Sequence, residues 1–195
     1  MTKVKICGIR TLEAAEVAVL NGADFLGFNF VPTSKRRIDV TLADVIIKQI
    51  RKSGTSIVGV FQNASVTEVN ALIEKLGLDF VQLHGKEDSA YIQRMNVPVI
   101  KSFTLSDDPA TIEAEYLILD REERGKGDMV DLVRAEDIAR QFKIFLAGGL
   151  TPQIVAEAVR SVRPYAVDVA GGVETDGVQD TLKISSFIEH AKKYD

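Results

Sequence analysis

The chain has one cysteine, Cys7, and two histidines, His84 and His190, among 195 residues. A lone cysteine rules out an internal disulfide, so nothing ties the fold to an oxidising compartment. Two histidines far apart in sequence are too few to build a zinc cluster with that one thiol. Positive charge is not in excess either: 24 Lys and Arg stand against 28 Asp and Glu, a formal net charge of −4. A chain-wide basic field for nucleic acid is therefore excluded. An anionic ligand has to be held by local devices such as helix N-termini, glycine-rich loops or single arginines. No apolar run is long enough for a membrane span, and the stretch MTKVKICGIR lacks the apolar core of a signal peptide. The cytoplasm is the expected location. Linkers, low-complexity tracts and charge blocks are missing too, which leaves one domain over 1–195 as the expectation.

What is present is ordinary globular material, 46% hydrophobic and 27% charged, enough to build a sizeable core and too apolar for disorder. Strand and helix signals alternate throughout. VKICGI (4–9), FLGFNF (25–30), SIVGVFQ (56–62), FVQLHG (80–85), PVIKSFTL (98–105), YLILD (116–120), KIFLAGG (143–149) and AVDVAGGVE (166–174) read as strands. Between them lie helical segments with recognisable starts. Thr11 caps the first, the second opens at Thr41-Leu42-Ala43-Asp44, and Ser65 to Glu68 is a capping box for a helix stopping at Gly77. A helix is expected from Glu87 to Met95, and a short one after Asp108-Pro109. Another follows Asp131, another opens at Thr151-Pro152 with proline in the first turn, and the last runs from Leu182 to Lys192. Eight strands each followed by a helical segment is the count for a (β/α)8 TIM barrel, at about 24 residues per unit. An open doubly wound sheet alternates in the same way, but eight strands in so short a chain favour closure.

Alternate residues of a barrel strand face the interior and the helix layer. With Val4 and Ile6 outward, Lys5 and Cys7 point inward; with Val167 and Val169 outward, so does Asp168. Closure sets the eighth strand beside the first, making Lys5 and Asp168 interior ion-pair partners. Gln82 and His84 face inward by the same parity, and Asp120 does so at the end of strand six. Polar inward residues thus gather toward the C-terminal ends, where barrel enzymes build their sites. A lone Cys is often a small buried hydrophobe. Cys7 ends a barrel strand next to a cation, the setting that favours a thiolate base or nucleophile. Asp120 reads either as a loop-capping carboxylate or as a catalytic acid.

Two glycine pairs, Gly148-Gly149 and Gly171-Gly172, follow strands seven and eight. Glycine lets backbone N–H groups approach an anion, and barrels often bind phosphate at this pair of loops. In VPTSKRRID, Arg36 and Arg37 lie in the loop after strand two, with the phosphate loops expected opposite them. The residues alone therefore suggest a substrate with two separated anionic groups.

KICGI, SKRRI, GVFQN, VQLHG, LILD, LAGGL and AVDVAGGVE follow one another in the order found in phosphoribosylanthranilate isomerases. The chain resembles that family over essentially its whole length. The resemblance implies an Amadori rearrangement of N-(5-phosphoribosyl)anthranilate to the 1-deoxyribulose phosphate, a step of tryptophan biosynthesis, with no metal and no cofactor. Matched by position, Cys7 takes the proton from C2′ of the sugar and Asp120 protonates the furanose oxygen. Arg36 holds the anthranilate carboxylate, and Gly148, Gly149, Gly171 and Gly172 belong to the loops that hold phosphate. A small phosphosugar is the expected partner, without nucleic acid or membrane, and both monomer and homodimer fit the fold.

The sequence departs from the family pattern in two places. DREERGKGDMVDLV keeps Gly125, Gly127 and Asp131 but has Val130 and Leu132 where aromatic residues are usual, with Asp128 or a displaced Lys126 in place of a loop lysine. After strand eight a usual Ser-Ser-Gly reads Ala170-Gly171-Gly172, which removes hydroxyls and keeps the backbone donors. Other readings stay in view: another phosphosugar isomerase or epimerase on this barrel, and a non-catalytic phosphate-binding barrel. A bifunctional sugar-phosphate isomerase usually places an aspartate where this chain has Cys7.

Overall fold

The computed structural model describes residues 1–120 and 131–193. Its centre is a closed barrel of eight parallel strands in sequential order. The strands are β1 (Lys3–Cys7), β2 (Phe25–Asn29), β3 (Ser56–Phe61), β4 (Phe80–Leu83), β5 (Val99–Phe103), β6 (Tyr116–Leu119), β7 (Ile144–Leu146) and β8 (Ala166–Val169). Closure runs through β1 and β8, where Lys5 pairs with Asp168. Helices α1 (Leu12–Leu20), α2 (Val40–Ile50), α3 (Val66–Leu76), α4 (Ser89–Ile92), α5 (Leu132–Ala139), α6 (Val155–Val162) and α7 (Thr181–Lys192) lie outside the barrel. None among the described residues is long and apolar enough to cross a membrane.

The period of two separates two cores. Outward residues such as Val4, Ile6, Leu26, Val81, Leu117 and Val167 pack against the helices. Inward ones form a second cluster of Phe25, Val58, Ile100, Ile118, Phe145, Ala147 and Ala166. Phe25, Phe80, Tyr116 and Ala166 are the first residues of the even-numbered strands. They form an interior layer of the kind that four alternate strands supply in such barrels. Its aromatics meet edge to face: Phe25 and Phe80 at 5.6 Å between centroids, Phe80 and Tyr116 at 5.7 Å. This layer plugs the N-terminal end. Two residues further along the same strands the period gives Gly27, Gln82, Ile118 and Asp168, and polarity enters the barrel.

The helices form where the caps and apolar spacing permit. Thr11 accepts from the Ala14 amide, and the Ser65–Glu68 capping box is complete, with Gly77 in the left-handed conformation at the other end. Val155, Ala158, Val159 and Val162 are the buried stripe of α6. Three expected helix boundaries move. Asp39, not Thr41, caps α2, because its carboxylate accepts from the Thr41 and Leu42 amides. Asp88 caps α4, which shrinks to Ser89–Ile92. Glu87 is excluded from that helix because its carboxylate is bound to the Asn63 and Gly85 amides. Finally, α6 begins at Val155, and the Thr151-Pro152 stretch is a turn instead of the first helical turn. Its Pro152 carbonyl lies 2.6 Å from His190 Nδ1 of α7, which fixes the turn against that helix.

The segment after β8 also differs from the expected strand. Gly171–Val173 forms one 3-10 turn. The chain then makes a two-rung hairpin, with Glu174–Thr175 (β9) antiparallel to Val178–Gln179 (β10).

Candidate active site

Above the apolar plug the barrel holds a buried charged cluster. Lys5 is fully buried, and its Nζ lies 2.7 Å from Asp168 Oδ1. The same ammonium also acts on the charge of the Cys7 thiol. Burial works against the ammonium, but Asp168 first and Cys7 second hold it on, and the net effect raises Lys5 above its ordinary value. Cys7 is 8% exposed. Burial pushes its thiol up; Lys5 opposes this strongly and Arg36 weakly, while Asp168 reinforces it. The net direction for Cys7 is upward. Lys5 therefore pulls toward the thiolate, as the sequence suggests, but desolvation outweighs it.

The space for this cluster comes from β2. A Cβ on Gly27 would lie 2.8 Å from Cys7 Sγ and 3.2 Å from Lys5 Nζ. Any side chain there would displace the thiol or the ammonium.

Across the mouth, His84 and Asp120 directly follow β4 and β6, and their Nε2 and Oδ2 are 3.6 Å apart. Both are partly open to solvent, at 20% and 24% of the side chain. Backbone bonds from His84 N to Phe61 O and from Asp120 N to Phe103 O fix the two ends. The loop that carries His84 is braced from beneath by the buried Glu87 and Lys101, 3.4 Å apart, with Lys101 Nζ donating to the Gly85 carbonyl at 2.7 Å. Strand order places β6 three strands from β1 by way of β8 and β7. The structure thus does not bring Cys7 and Asp120 into contact; it sets them on different sides of the opening.

The two glycine pairs are neighbours. Gly148 and Gly149 have φ of 84° and 93°, a left-handed backbone that favours glycine. A Cβ on Gly172 would come within 1.9 Å of the Leu150 carbonyl oxygen, so the loop after β8 lies directly on the loop after β7.

Arg36 departs from its expected place. It does not stand opposite these loops but beside one of them, with its Nη2 3.0 Å from where a Gly171 Cβ would sit. Closure explains this. Only β1 separates β2 from β8, and Gly8 at the end of β1 leaves room for Arg36 Cδ, 2.8 Å from an added Cβ. The guanidinium is bidentate to Glu174, Nε to Oε1 at 2.8 Å and Nη2 to Oε2 at 2.6 Å. Glu174 holds Arg36 above its ordinary value, first through these hydrogen bonds. Arg37 is exposed.

The model of the N-(5′-phosphoribosyl)anthranilate isomerase family matches residues 4–190. The chain belongs to that family. It is similar to the N-(5′-phosphoribosyl)anthranilate isomerase of Streptococcus mutans, at 40% identity over 99% of this chain and 100% of the relative. A crystal structure of phosphoribosyl anthranilate isomerase from Thermus thermophilus matches with a TM-score of 0.90 at 35% identity, covering 100% of each chain. Another phosphoribosyl anthranilate isomerase structure is a complex with reduced 1-(o-carboxyphenylamino)-1-deoxyribulose 5-phosphate. It matches with a TM-score of 0.86 at 33% identity, over 99% of this chain and 100% of that one. As a member of the phosphoribosylanthranilate isomerase family, the chain is an isomerase on a TIM barrel.

Within this isomerase the structure adds residues that the sequence did not single out for the site. Glu174 stands in the quoted AVDVAGGVE, but as a strand residue it gave no sign of its contact with Arg36. Gly27 looked like any glycine in an apolar strand, although the parity that turns Lys5 and Cys7 inward also turns Gly27 inward beside them. Of the atypical loop, Gly125, Lys126, Gly127, Asp128 and Val130 lie outside the described residues. Asp131 caps α5 through the Val133 and Arg134 amides, and Leu132 is the first residue of that helix.

Proposed function

We propose that this isomerase converts N-(5-phosphoribosyl)anthranilate to 1-(2-carboxyphenylamino)-1-deoxyribulose 5-phosphate, within tryptophan biosynthesis and in the cytoplasm, and that one barrel domain spanning 1–195 does so. The observation that carries the assignment of roles is the Cys7 thiol at the end of β1, buried against the ammonium of Lys5.

Asp120, at the more open side of the mouth, gives its proton to the furanose oxygen, and the ring opens to the protonated imine. Its neighbour His84, 3.6 Å away, can share that proton. Cys7, as thiolate, then takes the proton from C2′. Electrons move from the C2′–H bond toward the imine nitrogen, giving an enolamine, and tautomerisation places hydrogen on C1′ and leaves a ketone at C2′. C2′ is oxidised as C1′ is reduced. The change is internal, an aldose–ketose isomerisation, and it needs no cofactor.

The thiol can serve the base step because the Lys5 ammonium opposes the desolvation that disfavours its ionised form. The Lys5 ammonium lies against it, and a substrate that brings C2′–H to Sγ meets a base whose counter-ion is already in place. Arg36 receives the anthranilate carboxylate on the guanidinium edge that Glu174 does not use. The stacked loops at Gly148-Gly149 and Gly171-Gly172 receive the phosphate, through backbone donors that need no side chain.

The direct test is turnover. Phosphoribosylanthranilate is generated in situ and the decay of its fluorescence followed on adding the protein. Accelerated decay with formation of the ketose is expected. No acceleration contradicts the reading and points to a phosphosugar of another kind.

A further inference from the structure

Among the described residues, Glu174 is the carboxylate that pairs with both Arg10, in the loop after β1, and Arg36, in the loop after β2. Its side chain is 7% exposed, bidentate to Arg36 and 3.7 Å from Arg10 Nη2. It stands on β9, and several bonds hold that short hairpin in register. Lys183 Nζ donates to the Glu174 carbonyl at 2.9 Å. Arg10 N donates to Gln179 Oε1, and Arg10 Nη2 donates to the Gly177 carbonyl. Arg36 is thus confined by Gly8 beneath its stem, Gly171 beside its Nη2 and Glu174 at its Nε edge.

A guanidinium has five N–H donors on a flat fork. Glu174 takes the Nε–H and one N–H of Nη2. The two N–H groups of Nη1 and the second of Nη2 remain, and they form a complete edge for one further carboxylate. Arg10 keeps the balance of charge positive, two guanidinium groups to one carboxylate. We propose that Glu174 is a positioning residue for substrate recognition: it fixes Arg36 so that only the Nη1–Nη2 edge is offered, and so selects a substrate bearing an aryl carboxylate. This rests on the reading that Arg36 binds the anthranilate carboxylate, and it adds the residue that makes the interaction directional.

The simple electrostatic view predicts the opposite, since removing a neighbouring anion should strengthen an arginine's hold on a second one. The two views separate cleanly. Glu174→Gln is compared with wild type on phosphoribosylanthranilate and on the analogue made in situ from aniline, which lacks the carboxylate. We expect KM for the anthranilate substrate to rise about tenfold, with kcat within about threefold and kcat/KM for the aniline analogue unchanged. Glu174→Asp keeps the charge but shortens the reach, and gives a smaller loss of the same selective kind. In an Arg36→Met background, Glu174→Gln adds nothing further.

A KM that stays the same or falls overturns the proposal. So does an equal loss on both substrates, which marks a merely structural role. Glu174→Asp is read by the same criteria if thermal melting shows that Glu174→Gln does not fold. Wild type inactive on phosphoribosylanthranilate overturns the underlying reading and this inference with it, whereas an active wild type with an indifferent Glu174→Gln overturns this inference alone.

Discussion

Lys5 and Asp168 close the barrel twice. Their backbones pair across the β1–β8 seam, and their side chains meet inside it, Nζ to Oδ1 at 2.7 Å. A buried pair of this kind is weak evidence for stability in itself, since desolvation offsets much of the attraction. Its significance is positional: it sets an ammonium against the only thiol of the chain.

Lys5→Met separates these effects. It leaves the Asp168 carboxylate, 9% exposed, without its cation in the barrel interior. The expected cost is about 3 kcal/mol in denaturant unfolding. The thiol also loses the strongest influence that opposes its upward shift. Its reactivity toward an alkylating reagent, followed against pH, should therefore move to higher pH. An unmoved profile would show that Lys5 has no hold on Cys7.

The same cluster fixes the sign of the alkaline stability profile. Cys7 lies above its ordinary value of 9.0 and Lys5 above its ordinary 10.5 when folded. For both groups the native state keeps its proton to higher pH than the unfolded chain does. The stabilisation is complete below the unfolded values and is lost as pH rises through the folded ones. Unfolding free energy should therefore begin to fall above about pH 9, and Cys7→Ala should remove the earlier part of that fall. A rise in stability over this window contradicts the assigned directions.

Gly27→Ala tests whether the empty face of β2 serves the thiol. The new methyl would sit 2.8 Å from Cys7 Sγ and 3.2 Å from its Cα, so the thiol has to move. The expected loss of kcat is on the order of 100-fold, as for an ångström-scale misplacement of a reacting group. Stability should fall by about 1–3 kcal/mol. Retained kcat in a folded variant would mean that the position of Sγ is not critical.

Much of this was legible in the residues because strand parity is a rigid rule. Once Val4 and Ile6 are assigned to the helix layer, Lys5 and Cys7 have nowhere else to point, and Asp168, Gln82, His84 and Asp120 follow in the same way. Loops have no such period. Arg36 was readable as a mouth residue, but its reach over Gly8 to the turn after β8 depends on a side-chain path that sequence spacing does not encode. Glu174 was hidden for the same reason, since a carboxylate in an apparent strand looks alike whether it faces solvent or an arginine. The boundary errors at α2, α4 and α6 share a cause. Asp39, Glu87 and Pro152 each spend a polar group on a local or tertiary partner, and that partner decides where the helix begins. The direction of the Cys7 shift needed burial as well as a neighbour, and burial follows from closure.

The most direct test of the account is single-turnover catalysis by Cys7→Ala and Asp120→Asn, each with product binding measured on the same preparation. Loss of the general base or acid should lower the rate by about 100-fold or more while product affinity stays close to wild type. Loss of rate together with loss of binding, or a Cys7→Ala variant that turns over at the wild-type rate, would contradict the acid–base assignment.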